Sequence, residues 1–167
     1  MDARPFLETL ARLLEETGLE AILIGNAAAA LQGAPVTTID IDLMFRQTPR
    51  NLQKLKAVAK ALEAVILRPY YPVSGLFRLS RDRDGMQIDF MTSIDGVKSF
   101  EALRARSEAM VFGGHKLRVA SLEAVIESKR AAGRPQDKAV LDTLKKALDE
   151  TKTKQPKRAT RRLKERE

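Results

Sequence analysis

The chain has 167 residues, 44% hydrophobic and 31% charged, with no cysteine, no tryptophan and a formal net charge of +8. This is the balance of an ordinary globular chain. It excludes a disulfide framework and thiolate chemistry, and no apolar run approaches the roughly 20 residues that cross a bilayer. The start, "MDARPFLETL", has no signal-peptide core, so the chain reads as soluble and cytoplasmic, with no membrane partner. The charge is unevenly placed. Residues 151–167 hold eight Lys/Arg and two Glu, while residues 1–150 hold 22 basic and 20 acidic residues. A folded domain over 1–150 followed by a basic, disordered tail over 151–167 is therefore expected. The tail either stays solvated or binds nucleic acid through its phosphates.

In chain order, Phe6, Leu7, Leu10, Leu13 and Leu14 recur at helical spacing, and Gly18 marks a stop. "LEAILIG" (19–25) is a short apolar strand ending in glycine, and "NAAAALQG" is a short, closely packed helix. "VTTIDIDLMF" (36–45) reads as a second strand, interrupted by Asp40 and Asp42. Thr48 and Pro49 open a helix with a stripe at Leu52, Leu55, Ala59 and Leu62. "GLFRLS" (75–80) and "MQIDFMTSI" (86–94) form a hairpin about Asp84-Gly85, and a short helix follows around 98–106. "SEAMVF" and "HKLRVA" bracket Gly113-Gly114 as a second hairpin. Ser121 caps a helix to about Ala132, Gly133 ends it, and Pro135 starts another, giving a C-terminal helical hairpin. The expected fold is a mixed α/β (α+β) one, a mixed β-sheet flanked by helices.

The chemistry concentrates in the apolar strands. Side chains alternate along a strand, so Asp40 and Asp42 share one face about 7 Å apart, where like charges raise each other's pKa. Either this is a solvent-facing edge with two incidental acids, or it is a pair for a divalent cation such as Mg²⁺, which takes one or two carboxylates plus substrate phosphates. Gly25 and Asn26, between a strand and a helix, are either an ordinary turn or a phosphate cradle. Asp89 is either an exposed strand acid or a third carboxylate of the same site. His115 reads as an exposed turn residue, and Tyr70, Tyr71 and Phe77 either stack on a base or pack in the core or at an edge.

"LIGNAAAALQGAPVTTIDIDLMF" resembles the signature of the DNA polymerase β-type nucleotidyltransferase superfamily: a strand, a Gly-Gly or Gly-Ser turn, a short helix and a strand bearing D-x-D. "ASLEAVIESKRAAGRPQDKAVLDTL" (120–144) is similar to the C-terminal helices of minimal AbiEii-type nucleotidyltransferases, toxins of toxin–antitoxin and phage-defence systems. The resemblance implies a nucleotidyltransferase fold and transfer of a nucleoside monophosphate from an NTP to a hydroxyl, on a tRNA 3′ end, other RNA or a protein. It also implies Mg²⁺ (or Mn²⁺) on Asp40, Asp42 and Asp89, with Asp89 serving the acceptor hydroxyl, and a cognate antitoxin as partner. Gly25, Asn26, Thr38, Lys129, Arg134 and Asp137 would bind the nucleotide. Asn26 departs from the usual glycine or serine, and this favours the alternative of a catalytically idle module that binds nucleotide, nucleic acid or protein. The three aspartates favour the enzyme.

Overall fold

A computed structural model describes residues 3–36 and 40–154, Lys154 without its side chain. The elements are α1 (Arg4–Thr17), β1 (Ala21–Ile24), α2 (Gly25–Leu31), β2 (Ile41–Phe45), α3 (Pro49–Ala61), β3 (Val65–Leu67), β4 (Leu76–Arg81), β5 (Met86–Met91), α4 (Phe100–Ala105), β6 (Ser107–Phe112), β7 (His115–Ala120), α5 (Leu122–Ala132) and α6 (Pro135–Lys154). The strands form one seven-stranded sheet in the order β3-β4-β5-β2-β1-β7-β6. It is mixed: β1 runs antiparallel to β2, whereas β1 with β7 and β2 with β5 are parallel. Among the described residues no helix is long and apolar enough to cross a membrane.

Local chemistry explains the helix limits. The hydroxyls of Thr48, Ser99 and Ser121 accept from the backbone N–H groups of Asn51, Ala102 and Ala124, so each satisfies an otherwise orphaned donor of α3, α4 or α5. Gly18 and Gly133 close α1 and α5 in left-handed conformations. The β6–β7 hairpin turns on Gly113-Gly114, with Phe112 paired to His115.

Leu43, Phe90, Phe77, Leu79 and Ile88 alternate to one side of β2, β4 and β5 and are buried. Phe45 meets Phe77 and Phe90 edge-on, with centroids 5.5 and 6.0 Å apart. This packing fixes the register of the middle strands, because a slip of one residue would drive the apolar set onto the opposite face.

One sequence expectation changes. The strand read over 36–45 is described only as Ile41–Phe45, so Asp40 stands before the strand instead of within it. Thr37, Thr38 and Ile39 lie outside the described residues. α6 continues to Lys154, and residues 155–167 lie outside the described residues.

Candidate active site

Strand register assembles the centre. Asp42 of β2 is opposite Asp89 of β5 in a parallel pair, and Asp89 is opposite Arg78 of β4 in an antiparallel pair. Register partners project to the same face, so Arg78, Asp89 and Asp42 form a row across three strands. On the other side of Asp42, its partner on β1 is Ile24, immediately before Gly25. Gly25 has φ of +67°, and a Cβ there would lie 3.5 Å from Asp42 Oδ2. Glycine thus meets a left-handed turn and leaves the space beside the carboxylate open.

A cleft of about 630 Å³ opens onto this end of the sheet. Gly25, Asn26, Asp40 and Asp42 form one wall, and Lys129, Arg134 and Asp137 of the α5–α6 junction form another. Eight expected site residues are thereby gathered in one region: seven line the cleft, and Asp89 stands next to Asp42. Thr38, the ninth, lies outside the described residues.

Each acid has a distinct setting. Asp40 is exposed. Burial, then the charges of Asp89 and Asp40, push Asp42 up to about 6 against the opposing pull of Lys129 and Arg134. Asp89 is only 9% exposed, and both its oxygens are held by Arg78, whose Nε and Nη2 donate at 2.9 and 3.2 Å. Asp137 is 1% exposed beneath two cations: Arg134 donates to it at 2.7 and 3.2 Å, and Lys129 Nζ lies 3.6 Å away. Burial would raise Asp137, but the Arg134 hydrogen bond and the charges of Arg134 and Lys129 outweigh it and hold the carboxyl below its ordinary value. Asp137 therefore stands behind Lys129 and Arg134 and fixes their place on the cleft wall.

Asn26 Oδ1 is buried without a hydrogen-bond partner. A buried polar atom without a partner is costly, so a donor arriving with a ligand would relieve it. The donors around Asp42 are hard carboxylate oxygens, suited to Mg²⁺ or Mn²⁺. Among the described residues no three or more acids or histidines converge as a ready-made metal cage. The pair Asp40 and Asp42, with the open space at Gly25, fits an ion whose remaining ligands come from substrate.

The sequence reading missed several participants. Arg78 becomes visible only through strand register. Gln32 ties α2 to the start of α5 by donating to Ala28 O and Ala120 O and accepting from Leu122 N. Asp95 lines the cleft beside Arg134, and Gly96 next to it, at φ +75°, is the one sequence signal that this loop makes a close turn.

Residues 4–166 match the family model described as "Nucleotidyl transferase of unknown function (DUF2204)". No curated protein sequence matches the chain. Among solved structures, a Thermotoga maritima protein assigned as a nucleotidyltransferase shares 22% identity with a TM-score of 0.61, over 90% of this chain and 96% of its own. The antibiotic-resistance factor ANT(2'')-Ia in solution shares 17% at a TM-score of 0.61, over 90% and 86%. The lincosamide antibiotic adenylyltransferase LnuA, bound to lincomycin, shares 16% at a TM-score of 0.59, over 87% and 96%. At these identities the likeness is one of fold.

Proposed function

The chain belongs to this nucleotidyl transferase family, and from that premise we infer that it transfers a nucleoside monophosphate from an NTP to an acceptor hydroxyl at the Asp42 centre. The observation that carries this reading is the half-buried Asp42, set between Asp89 and the Gly25 turn and facing Lys129 and Arg134 across one cleft. Asp40 and Asp42 would hold Mg²⁺ or Mn²⁺. When bound, the ion supplies charge neutralisation for the triphosphate and the leaving pyrophosphate.

The chain's own groups do the rest. Gly25 leaves backbone room for phosphate, and Asn26 Oδ1 takes a hydrogen bond from the bound ligand. Lys129 and Arg134, anchored on Asp137, face the anionic nucleotide. In the reaction the acceptor oxygen bonds to the α-phosphorus as the bond to the β-phosphate's bridging oxygen breaks. The acceptor proton passes to Asp89. Because Arg78 holds both Asp89 oxygens, the guanidinium must yield one of them for this to happen. Asp89 as a further metal ligand makes the same demand on Arg78.

The AbiEii-type resemblance and the basic residues beyond 150 support RNA as acceptor, with a tRNA 3′ end or a protein hydroxyl in a toxin–antitoxin or phage-defence setting, and a cognate antitoxin as partner. A second reading, a small hydroxylated antibiotic as acceptor, is supported by the fold shared with ANT(2'')-Ia and LnuA. The test is incubation with each α-labelled NTP and Mg²⁺ in the presence of total tRNA, a protein extract, or tobramycin and lincomycin. Label should pass to RNA and remain absent when Asp42→Asn replaces the wild type. Label on none of the acceptors, with nucleotide still bound, would return the chain to the idle-module alternative.

A further inference from the structure

Among the described residues, five of the six exposed large apolar side chains fall within nine consecutive positions: Val65, Leu67, Tyr70, Tyr71 and Val73. They lie on β3, the edge of the sheet, and on the turn leading to β4. The only two tyrosines of the chain are both here.

Along the sequence the charge of this stretch is one-sided, with four of its cations, Arg46, Arg78, Arg81 and Arg83, paired to Glu20 and Glu101, Asp89, Asp84 and Glu63 respectively. Residues 46–83 hold nine Lys/Arg against two Asp/Glu, whereas the rest of 1–150 holds thirteen against eighteen. Lys56 and Lys60 stand exposed one turn apart on α3, which leads directly into β3. Tyr71 is also held in place. Arg68 lies 4.7 Å from the Tyr71 ring centroid and 3.9 Å from that of Phe77, and its Nε donates to Leu76 O. Leu67 of β3 is opposite Arg78 of β4, the same group that grips Asp89 beside Asp42. Asp89 chiefly, and Tyr70 in smaller measure, hold the Arg78 guanidinium in its charged form. The surface is thus continuous with the row of carboxylates.

Exposed aromatic faces on basic ground make a stacking platform for bases, with cations for the phosphates. A second copy of the chain is a poor occupant, since two like-charged patches would face each other across a two-fold axis. We propose that the β3 edge, the 68–75 turn and the exposed side of α3 bind a single-stranded polynucleotide. Its bases stack on Tyr70 and Tyr71, its phosphates meet Arg68, Lys56 and Lys60, and a terminal hydroxyl is delivered past Arg78 toward Asp89 and Asp42. The delivery rests on the nucleotidyl-transfer reading; the binding does not.

The full chain can be tested through its own tyrosines, because with no tryptophan present their emission reports on this turn alone. Titration with matched 12-nucleotide RNA and DNA single strands should quench tyrosine emission, after correction for absorbance. Tyr71→Ala should weaken binding about tenfold. Lys56→Glu with Lys60→Glu should lower the slope of log K against log salt by about 1.4, two phosphate contacts at roughly 0.7 each. Quenching by both strands supports a surface for polynucleotides in general, and quenching by RNA alone narrows it to RNA.

Binding with unchanged tyrosine emission, or equal binding by both variants, overturns the proposal. So does poly-glutamate reproducing the quenching. Binding of a non-hydrolysable ATP analogue with Mg²⁺ should be the same in the Lys56/Lys60 variant as in the wild type. If the analogue binds and no polynucleotide does, the surface is refuted while the transfer chemistry stands. If polynucleotide quenches tyrosine but no nucleotide binds, the surface stands and the transfer reading fails.

Discussion

Asp42 faces opposing demands, being most useful as a carboxylate where that form is least comfortable. Its folded pKa of about 6 lies above the ordinary value because of burial and the neighbouring acids. The native state therefore disfavours the ionised form. The cost begins as pH rises past the unfolded value near 3.8, grows until about 6, and is constant above. Asp42→Asn should raise the Tm of the metal-free protein by about 3–6 °C at pH 8 and leave it unchanged near pH 4. The same variant should lose nucleotide transfer and the Tm increase that Mg²⁺ gives the wild type. Thermal melts at the two pH values, with and without Mg²⁺, check both halves. Asp137 has the opposite sign. Its folded pKa is lowered, so its contribution is present above the unfolded value and is lost as pH falls through the folded one. Asp137→Asn removes a buried partner of Arg134 and Lys129. At pH 7 it should cost about 2 kcal/mol, and its Tm deficit should narrow below pH 4. Nucleotide affinity should fall with it, as two cations lose their common anchor.

At the level of elements, the loop after β5 is held against α5 by a close contact at Gly96. A Cβ there would meet Glu127 O and the Ala131 Cβ at 3.0 Å each, on a backbone with φ of +75°. Backbone oxygen cannot step aside cheaply, so Gly96→Ala should push Asp95 and its loop off α5. A Tm drop of several degrees and weaker nucleotide binding are expected, measured by melting and by titration with an ATP analogue. That contact was invisible in the sequence, and the reason divides what was legible from what was not. Ser121 and Gly133 gave the limits of α5 because capping is local chemistry. Gly113-Gly114 gave the second hairpin for the same reason. The Asp40–Asp42 spacing and Asp89 were readable as candidates. The adjacency of Asp42 to Asp89, and of Asp89 to Arg78, depends on pairing between strands distant in sequence, which no local pattern encodes. β3, only three residues long with two of them exposed, carries too little alternation to register as a strand. The reading of 36–45 as one strand followed β-propensity alone, and the described strand begins at Ile41, where pairing with Ile88 begins.

Across the whole molecule, charge is sorted into a basic stretch at 46–83, a slightly acidic remainder up to 150, and a basic C-terminal segment. Long-range attraction of a polyanion needs only net positive charge, whereas a fixed orientation at the carboxylates needs groups held by the fold. The C-terminal segment and the tyrosine surface should therefore be separable. Residues 155–167 hold six Lys/Arg and two Glu, half of the net charge of the chain. Ending the chain at Lys154 keeps α6 to its last described residue and retains Lys152, which lies 3.6 Å from Glu123 of α5. The Tm should then change by less than about 1 °C, because an exposed ion pair and a helix end contribute little and both are preserved. Polynucleotide affinity should fall, and the salt slope should flatten by up to about 4 if all six cations meet phosphates. Tyrosine quenching at saturation should be unchanged, since the stacking groups remain on Arg68 and beside Arg78. A truncated chain that still binds but no longer quenches would mean that residues 155–167 orient the strand as well as attract it, and the separation of the two roles would fail.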